Sequence, residues 1–176
     1  MGYRNAFDFN GQNQKSGELA ENIFESLAKK RGLKIKQATK SQQFSHIDFI
    51  LTDKKDQNHF FDVKARKKTS RTSSNYSDDL VWIEFKNVSG NNGWIYGSAD
   101  FIAFERDSDF VITPRKLLAD LCERIVNRTK KVEKSSEALY SLYTRKDRKD
   151  ELSMIKMEDI LNNIKVSIWK KNECNG

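Results

Sequence analysis

The chain has 176 residues, of which 37% are hydrophobic and 32% are charged. This composition is polar, but it supports one domain with a sizeable core and excludes a disordered chain. No apolar run approaches the roughly 20 residues of a membrane-spanning helix, and no apolar secretory stretch follows Met1. We therefore expect no membrane partner and a cytoplasmic location. The net charge of +7 favours a polyanionic partner.

The few cysteines and histidines limit the metal and redox chemistry that we expect. Cys122 falls in an apolar stripe with helical spacing, so we predict a buried core thiol, whereas Cys174 lies near the polar C-terminus. A disulfide between them is not expected. With His46 and His59 as the two histidines, and no Cys-x-x-Cys pair, a structural zinc site is not expected either.

The first predicted element is a helix over Ser16–Arg31, preceded by a polar arm at residues 1–14. Ala20, Phe24 and Leu27 belong to one apolar stripe at helical spacing. Ser16 is a plausible N-cap, and the glycine after Arg31 is a plausible stop. Residues 34–37 have the pattern of a short strand.

A β-hairpin is predicted next, with strands His46–Leu51 and His59–Lys64 joined by a polar linker. Alternation along the second strand places Phe61 and Val63 on one face, with Asp62 and Lys64 together on the other.

If this hairpin is symmetric, Leu51 pairs with His59 and Asp48 falls opposite Asp62. Directly opposed residues have Cβ atoms about 5 Å apart. Two carboxylates at that distance repel each other unless a cation lies between them, and a divalent ion with oxygen ligands removes the conflict.

The remaining predicted elements alternate between strands and helices. They are strands Leu80–Lys86, Ala99–Glu105 and Phe110–Ile112, a helix opened by Thr113 and Pro114 and running to about Arg128, a mobile charged segment at 129–150, a strand Leu152–Met157 and a short helix Glu158–Ile164. This order predicts a single α/β domain with a mixed sheet, in which residues 15–128 form the core and residues 129–176 pack on the same domain.

Residue types at the predicted hairpin point to phosphodiester hydrolysis. Carboxylates can hold Mg²⁺ or Mn²⁺, which lowers the pKa of a bound water and neutralises charge on a phosphate. Lys64 can orient that water or stabilise the developing negative charge. Glu21 lies at the edge of the apolar stripe of the first helix, so it is the helix carboxylate best placed to extend the site.

The ordered set of Gly17-x-x-x-Glu21, His46-Ile47-Asp48-Phe49-Ile50 and Phe60-Phe61-Asp62-Val63-Lys64 resembles the PD-(D/E)xK nuclease superfamily. Residues 16–68 carry the resemblance, which is closest to small Holliday-junction-resolvase-like and phage endonucleases. Ile47 stands where the family name places a proline. The resemblance implies a restriction-endonuclease-like core, a central mixed β-sheet flanked by helices.

The same resemblance implies the roles of the site residues. Asp48 and Asp62 would hold Mg²⁺ or Mn²⁺ together with the backbone carbonyl of Val63, and Glu21 would be a further ligand, directly or through water. Lys64 would be the catalytic lysine. The protein would hydrolyse DNA, duplex or branched, in a bacterial or phage-infected host cell. Because two cuts need two sites, a two-stranded or branched substrate favours a homodimer.

A basic stretch follows the second hairpin strand, and Arg66, Lys67, Lys68 and Arg71 are its candidate phosphate contacts. Such contacts position a duplex without reading its sequence. The other interpretation is a solvated run of charge. RNA as the substrate, the DNA structure that is cut and the biological setting all stay open.

Several alternatives remain beside this hypothesis. Glu84-x-Lys86 on a later strand is a second Glu-x-Lys pattern that could form the site instead. His46 could contact a metal or substrate or have a structural role, and for Trp94 and Tyr96 packing is the favoured interpretation. A non-catalytic nucleic-acid-binding module with the same fold, or a partner protein that binds no DNA, are the alternative functions.

Overall fold

The structure, a computed structural model, describes residues 12–68 and 75–172. Its helices are α1 (Gln12–Lys30), α2 (Lys40–Phe44), α3 (Arg115–Ile125) and α4 (Met157–Asn163). Its strands are β1 (Lys34–Gln37), β2 (Phe49–Thr52), β3 (Asn58–Lys64), β4 (Leu80–Lys86), β5 (Phe101–Glu105), β6 (Asp109–Pro114), β7 (Asn127–Val132), β8 (Ser141–Tyr143), β9 (Glu151–Lys156) and β10 (Ser167–Lys170). None of the described helices combines the length and the apolar character needed to cross a membrane.

The strands form two sheets, of six and four strands. The larger, the main sheet, has the order β1-β2-β3-β5-β6-β10, and the smaller, the second sheet, has the order β4-β9-β8-β7. In the main sheet β3 and β5 are parallel and the other neighbours are antiparallel. The prediction of an α/β fold with a central mixed sheet flanked by helices is confirmed.

One face of the main sheet is covered by α1. Phe24 of α1 is fully buried, and its ring lies 5.5 Å from the rings of both Phe61 and Phe110, centroid to centroid. Trp169 of β10 stacks on the same ring at 5.2 Å. Aromatic pairs at these separations add to the burial of apolar area, so this cluster fixes α1 against β2, β3 and β6.

The opposite face of the main sheet packs against α3 and the second sheet. Ile102 and Val111 of the main sheet belong to the same buried core as Ile83 of β4, Ile155 of β9 and Leu118 of α3. Side chains alternate between the two faces of a strand. The side chains that alternate with Phe61 and Val63 on β3 therefore face the second sheet.

At the N-terminal side, the structure differs from the predicted elements in two places. α1 begins at Gln12, so Ser16 lies inside the helix and the prediction of an N-cap at Ser16 is wrong; residues 1–11 of the predicted arm lie outside the described residues. α2 was not predicted, and its N-terminus is closed by a capping box of Thr39 and Gln42. The first hairpin strand consequently begins at Phe49, not at His46.

Further along the chain, the predicted helix start at Thr113 and Pro114 is also wrong. Both residues end β6, Thr113 is fully buried, and α3 begins at Arg115 without a side-chain cap. The charged segment 129–150 is not a mobile connection, because β7 and β8 place it in the second sheet. β9 and α4 start and end within one residue of their predicted bounds, whereas β10 was not predicted.

Candidate active site

Asp48 and Asp62 lie opposite each other, as the predicted hairpin requires. β2 and β3 pair Leu51 with His59 and Phe49 with Phe61, which confirms the predicted register. Asp48 directly precedes β2, and its backbone N–H donates to the carbonyl of Phe61 at 2.8 Å. Its Oδ2 accepts a hydrogen bond from the backbone N–H of Val63 at 2.7 Å. The backbone of β3 thus fixes the orientation of the Asp48 carboxylate.

Asp62 is a buried carboxylate whose two oxygens have different surroundings. The residue is 2% exposed, and its Oδ1 lies 2.6 Å from Nζ of Lys64. Its Oδ2 is buried and has no hydrogen-bond partner in the described part of the chain when both carboxyl groups are ionised; when one of them is protonated, Asp48 and Asp62 can share a hydrogen bond. A buried polar atom without a partner carries the cost of its lost hydration. Oδ2 is therefore the atom at which a bound cation would gain most.

The ammonium group of Lys64 lies between the Asp62 carboxylate and the ring of Trp94. Its Nζ lies 5.0 Å from the ring centroid of Trp94, within cation–π distance. Trp94 begins a 3₁₀ helix over Trp94–Tyr96 and is buried. Packing as the role of Trp94 is confirmed, and the ring also forms one side of the site.

The carboxyl groups of the cluster favour their neutral forms. Burial, followed by the neighbouring Asp62, raises the pKa of Asp48 to about 7. Burial, followed by Asp48 and Glu18, raises the pKa of Glu21 on α1 to about 7. Glu21 is thus close enough to Asp48 to interact electrostatically. α1 therefore brings a third carboxyl group to the pair from the hairpin.

Asp62 and Lys64 form the charged pair at the centre. Burial raises the pKa of Asp62, although the Lys64 ammonium opposes this shift. Burial alone would lower the pKa of Lys64, but Asp62 and Asp48 outweigh it and raise the pKa above its usual value. Lys64 is therefore a permanent cation at neutral pH. Several acidic groups around one ammonium leave an excess of negative charge once they ionise.

Glu84 of β4, part of the alternative Glu-x-Lys pattern in the sequence, is an acidic neighbour of Lys64. Burial raises the pKa of Glu84 and the Lys64 ammonium partly lowers it, so the two side chains interact. Lys86, its partner in the Glu-x-Lys pattern, instead binds Glu151 of β9 at 2.8 Å. The two residues of the Glu-x-Lys pattern therefore have different partners. Glu84 interacts with Lys64, and Lys86 pairs with Glu151. Strand alternation carries no signal for this electrostatic interaction, because β3 and β4 belong to different sheets.

The predicted phosphate contacts fall into three groups. Arg66 is held by two ion pairs, with Asp78 at 2.8 Å and with Asp107 at 3.0 Å. Lys67 and Lys68 are exposed. Arg71 lies outside the described residues. Among the predicted phosphate contacts that the structure describes, Lys67 and Lys68 are thus the exposed ones.

His46 adopts a left-handed backbone conformation, with φ of 60°, in the turn between α2 and Asp48. Burial and the Lys64 ammonium lower its pKa, so the ring is neutral near pH 7. Gly97 is needed beside it, because a Cβ at Gly97 would lie 2.8 Å from Cβ of His46. A structural role for His46 is thus visible, and a role in binding stays a prediction.

The side chains of the cluster offer the oxygen ligands that a hard divalent cation prefers. Asp48 and Asp62 offer carboxylate oxygens, Glu21 adds a third group nearby, and these are the ligands that Mg²⁺ and Mn²⁺ prefer. In the described ranges, no group of three or more His, Cys, Asp or Glu side chains is arranged to hold a metal. The roles of these residues and of the Val63 carbonyl as ligands stay predictions.

Comparisons with known proteins add a distant likeness. No protein-family model and no curated protein matches the chain. Among solved structures, the bacterial homing endonuclease I-Ssp6803I is similar, with a TM-score of 0.44 and 17% sequence identity over 62% of this chain and 74% of that one.

Proposed function

We propose that this protein is a Mg²⁺- or Mn²⁺-dependent endonuclease that hydrolyses DNA phosphodiester bonds. One observation carries the proposal: Asp62 is buried opposite Asp48, with one oxygen on Lys64 and the other oxygen without a partner in the described residues. Folding gains nothing from leaving that oxygen unsatisfied. An arrangement that costs stability in the absence of a ligand is typical of a functional site.

The residues divide the work in a way that follows from their charge states. Asp48 and Asp62, assisted by Glu21, would hold the ion, which when bound lowers the pKa of a water and neutralises phosphate charge. Lys64 is protonated at neutral pH, so it donates hydrogen bonds and stabilises negative charge instead of removing a proton. The developing charge on the phosphate is therefore where Lys64 acts.

DNA as the substrate is supported by the charge of the chain and by the position of its exposed cations. The net charge is +7, and Lys67 and Lys68 follow β3 directly after the cluster. Cations there would hold the phosphate backbone beside Asp62 and Lys64. The resemblance to PD-(D/E)xK nucleases supports the same substrate, with branched DNA as one form and a homodimer where two cuts are made.

A non-catalytic nucleic-acid-binding module is the second candidate. One observation favours it: Nζ of Lys64 already takes up one oxygen of Asp62, so a metal would compete with an existing ion pair. In that case the carboxyl cluster would be structural, and the exposed lysines would still bind phosphate.

A cleavage assay distinguishes the two candidates. Labelled duplex, single-stranded, flap and four-way-junction DNA would be incubated with Mg²⁺, Mn²⁺ or EDTA, using the wild type, Lys64→Ala, Asp62→Asn and the control Lys86→Ala. We expect cleavage that needs the metal and falls at least roughly 100-fold in the first two variants, as for loss of one group that stabilises charge in a transition state. Lys86→Ala should cut like the wild type.

Two results would contradict the proposal in different ways. DNA binding without cleavage under either metal would leave the binding module. Loss of cleavage in Lys86→Ala but not in Lys64→Ala would move the site to the Glu84-x-Lys86 pattern.

A further inference from the structure

A shallow cleft opens beside the carboxyl cluster. Its walls come from the turn after α2 and from the loop between β4 and β5. The residues that line it are Phe44, Ser45, His46, Asn87, Gly90, Asn91, Asn92, Tyr96, Gly97 and Ser98.

Both walls of the cleft are chain neighbours of the cluster. His46 lines one wall, and two residues later Asp48 accepts the hydrogen bond from Val63. Tyr96 lines the other wall, and two residues earlier the ring of Trp94 lies 5.0 Å from Nζ of Lys64. The charges of Lys64 and Asp48 also act on the His46 side chain, so the cleft lies near the cluster.

The chemistry of the cleft differs from the rest of the surface. Charged residues make up 32% of the chain, yet the described lining residues include no Lys, Arg, Asp or Glu. Phe44 is 72% exposed, more than any other large hydrophobic side chain in the described ranges. Asn91 and Asn92 are exposed beside it and offer amide donors and acceptors. This combination suits a flat, neutral, polar-edged ligand and not a phosphate.

The cleft is preorganised by hydrogen bonds in its own walls. Oδ1 of Asn87 accepts from the backbone N–H groups of Ser89 at 3.0 Å and Asn91 at 3.1 Å. The backbone N–H of Ser98 donates to the carbonyl of Ser45 at 2.9 Å and joins the two walls. The backbone of the walls is therefore ordered before a ligand binds, and the smaller loss of conformational entropy favours affinity.

We propose that this cleft binds an unpaired DNA base next to the phosphate that is cut. The inference rests on the proposed nuclease function and names its substrate class, DNA with an unpaired nucleotide at the site. The base stacks on Phe44, and the amides of Asn91 and Asn92 bond to the edge that pairing no longer occupies. Aromatic stacking and recognition of an exposed base edge are how proteins hold unpaired bases.

The substrate form follows from the shape of a duplex. A base inside a regular helix is covered above and below by its neighbours, so it presents no face to Phe44. A bulge, flap or branch releases such a base without the cost of unstacking it, which is the source of selectivity for distorted DNA.

The test uses a short duplex with one unpaired 2-aminopurine and a fully paired duplex of the same flanking sequence. Fluorescence of the base and affinity would be measured in EDTA at low salt, for the wild type, Phe44→Ala and Asn92→Ala. Ile168→Ala on β10, at the other edge of the main sheet, is the matched control because Ile168 is also exposed, at 43%. Cleavage of both duplexes in Mg²⁺ would be followed in parallel.

We expect stacking to quench the unpaired base and the bulged duplex to bind more tightly than the paired one. Phe44→Ala should lose the quenching and bind bulged DNA roughly 5- to 100-fold more weakly, as measured when stacking side chains are removed. Its affinity for paired DNA should stay within about twofold. Ile168→Ala should behave like the wild type.

The outcomes separate this inference from the proposed function. If Phe44→Ala keeps the quenching and the preference for bulged DNA, the cleft does not hold the base, while metal-dependent cleavage of either duplex leaves the nuclease standing. If neither duplex is bound nor cut by the wild type, both the nuclease and the base site are overturned.

Discussion

Asp48 lies where burial and the neighbouring Asp62 both favour its neutral form, and this has a consequence for stability. The folded-state pKa of Asp48 is about 7, against an ordinary value of 3.8, so the folded protein holds a proton that the unfolded chain has released. The free energy of unfolding therefore falls as pH rises through the interval from about 4 to 7. Between pH 5 and pH 8 the loss due to Asp48 is at most about 3 kcal/mol.

Urea unfolding in EDTA at pH 5 and pH 8 measures this loss. Asp48→Asn should lose less stability between the two pH values than the wild type, because its amide does not titrate. The lowered pKa of His46 acts in the opposite direction below pH 6.5, and it is lowered further in Asp48→Asn because the Asp48 charge that raises it is gone; this adds to the difference between the two proteins in the same sense. Asp56→Asn is the matched control, since Asp56 is exposed in a turn at a φ of 58° that asparagine tolerates. Equal pH dependence in wild type and Asp48→Asn would contradict the assignment.

Metal addition should reverse the same loss. A divalent cation binds the ionised carboxylates, so Mg²⁺ or Mn²⁺ should stabilise the wild type more at pH 8 than at pH 5. At a concentration of about 100 times the dissociation constant, the gain is about 2.7 kcal/mol. Thermal melting with and without the metal would show it. Asp48→Asn should gain little, and an equal gain in that variant would place the metal elsewhere.

At the scale of elements, the 3₁₀ helix over Trp94–Tyr96 depends on a close approach to β4. A Cβ at Gly93 would lie 2.2 Å from the backbone carbonyl oxygen of Glu84. Gly93→Ala should therefore push Trp94 away from Lys64 and cost at least about 1–3 kcal/mol. Gly17→Ala is the contrasting variant: Gly17 lies within α1 with nothing within 4 Å, so the change should add about 0.5–1 kcal/mol.

Chemical unfolding of both glycine variants, with cleavage measured beside it, tests this. Gly93→Ala should lose activity together with stability, and Gly17→Ala should keep its activity. A Gly93→Ala protein as stable as the wild type would show that the two segments do not meet as closely as described.

The sequence predicts the hairpin, but it does not predict the rest of the site, because the hairpin depends on local properties and the rest depends on contacts between distant segments. Alternation along β3 and the length of the linker were enough to predict the pairing of Leu51 with His59, because both are local properties. Glu84 interacts electrostatically with Lys64 only because the two sheets pack together, and no local pattern encodes that packing. α2 was not predicted because it buries no side chain and so has no apolar stripe, although its Thr39–Gln42 capping box is a local signal. β7 carries mainly exposed polar residues, so pairing and not periodicity makes it a strand.

At the scale of the whole molecule, a net charge of +7 predicts DNA binding that weakens as the salt concentration rises. The positions of the positive charges decide which side chains contact phosphate. Arg66 is paired with Asp78 and Asp107, and the exposed cations Lys67 and Lys68 follow three and four residues after Lys64, the last residue of β3. Each phosphate contact contributes about 0.9 to the slope of log K against log salt on duplex DNA. Replacing Lys67 and Lys68 with Gln should thus flatten the slope by up to about 1.8.

The matched control removes the same charge from the other end of the hairpin. Lys54 and Lys55 lie in the turn between β2 and β3, about 20 Å along β3 from its C-terminal end. A Lys54→Gln and Lys55→Gln double variant has the same net charge as the Lys67 and Lys68 variant, so general attraction falls equally in both. Binding titrations over a range of salt concentrations should show the smaller slope only in the Lys67 and Lys68 variant, if the proposed site at Asp62 and Lys64 holds the phosphate, because these two lysines follow Lys64 closely in the chain. Equal slopes in the two double variants would mean that the DNA is attracted by total charge and does not lie along this end of the hairpin.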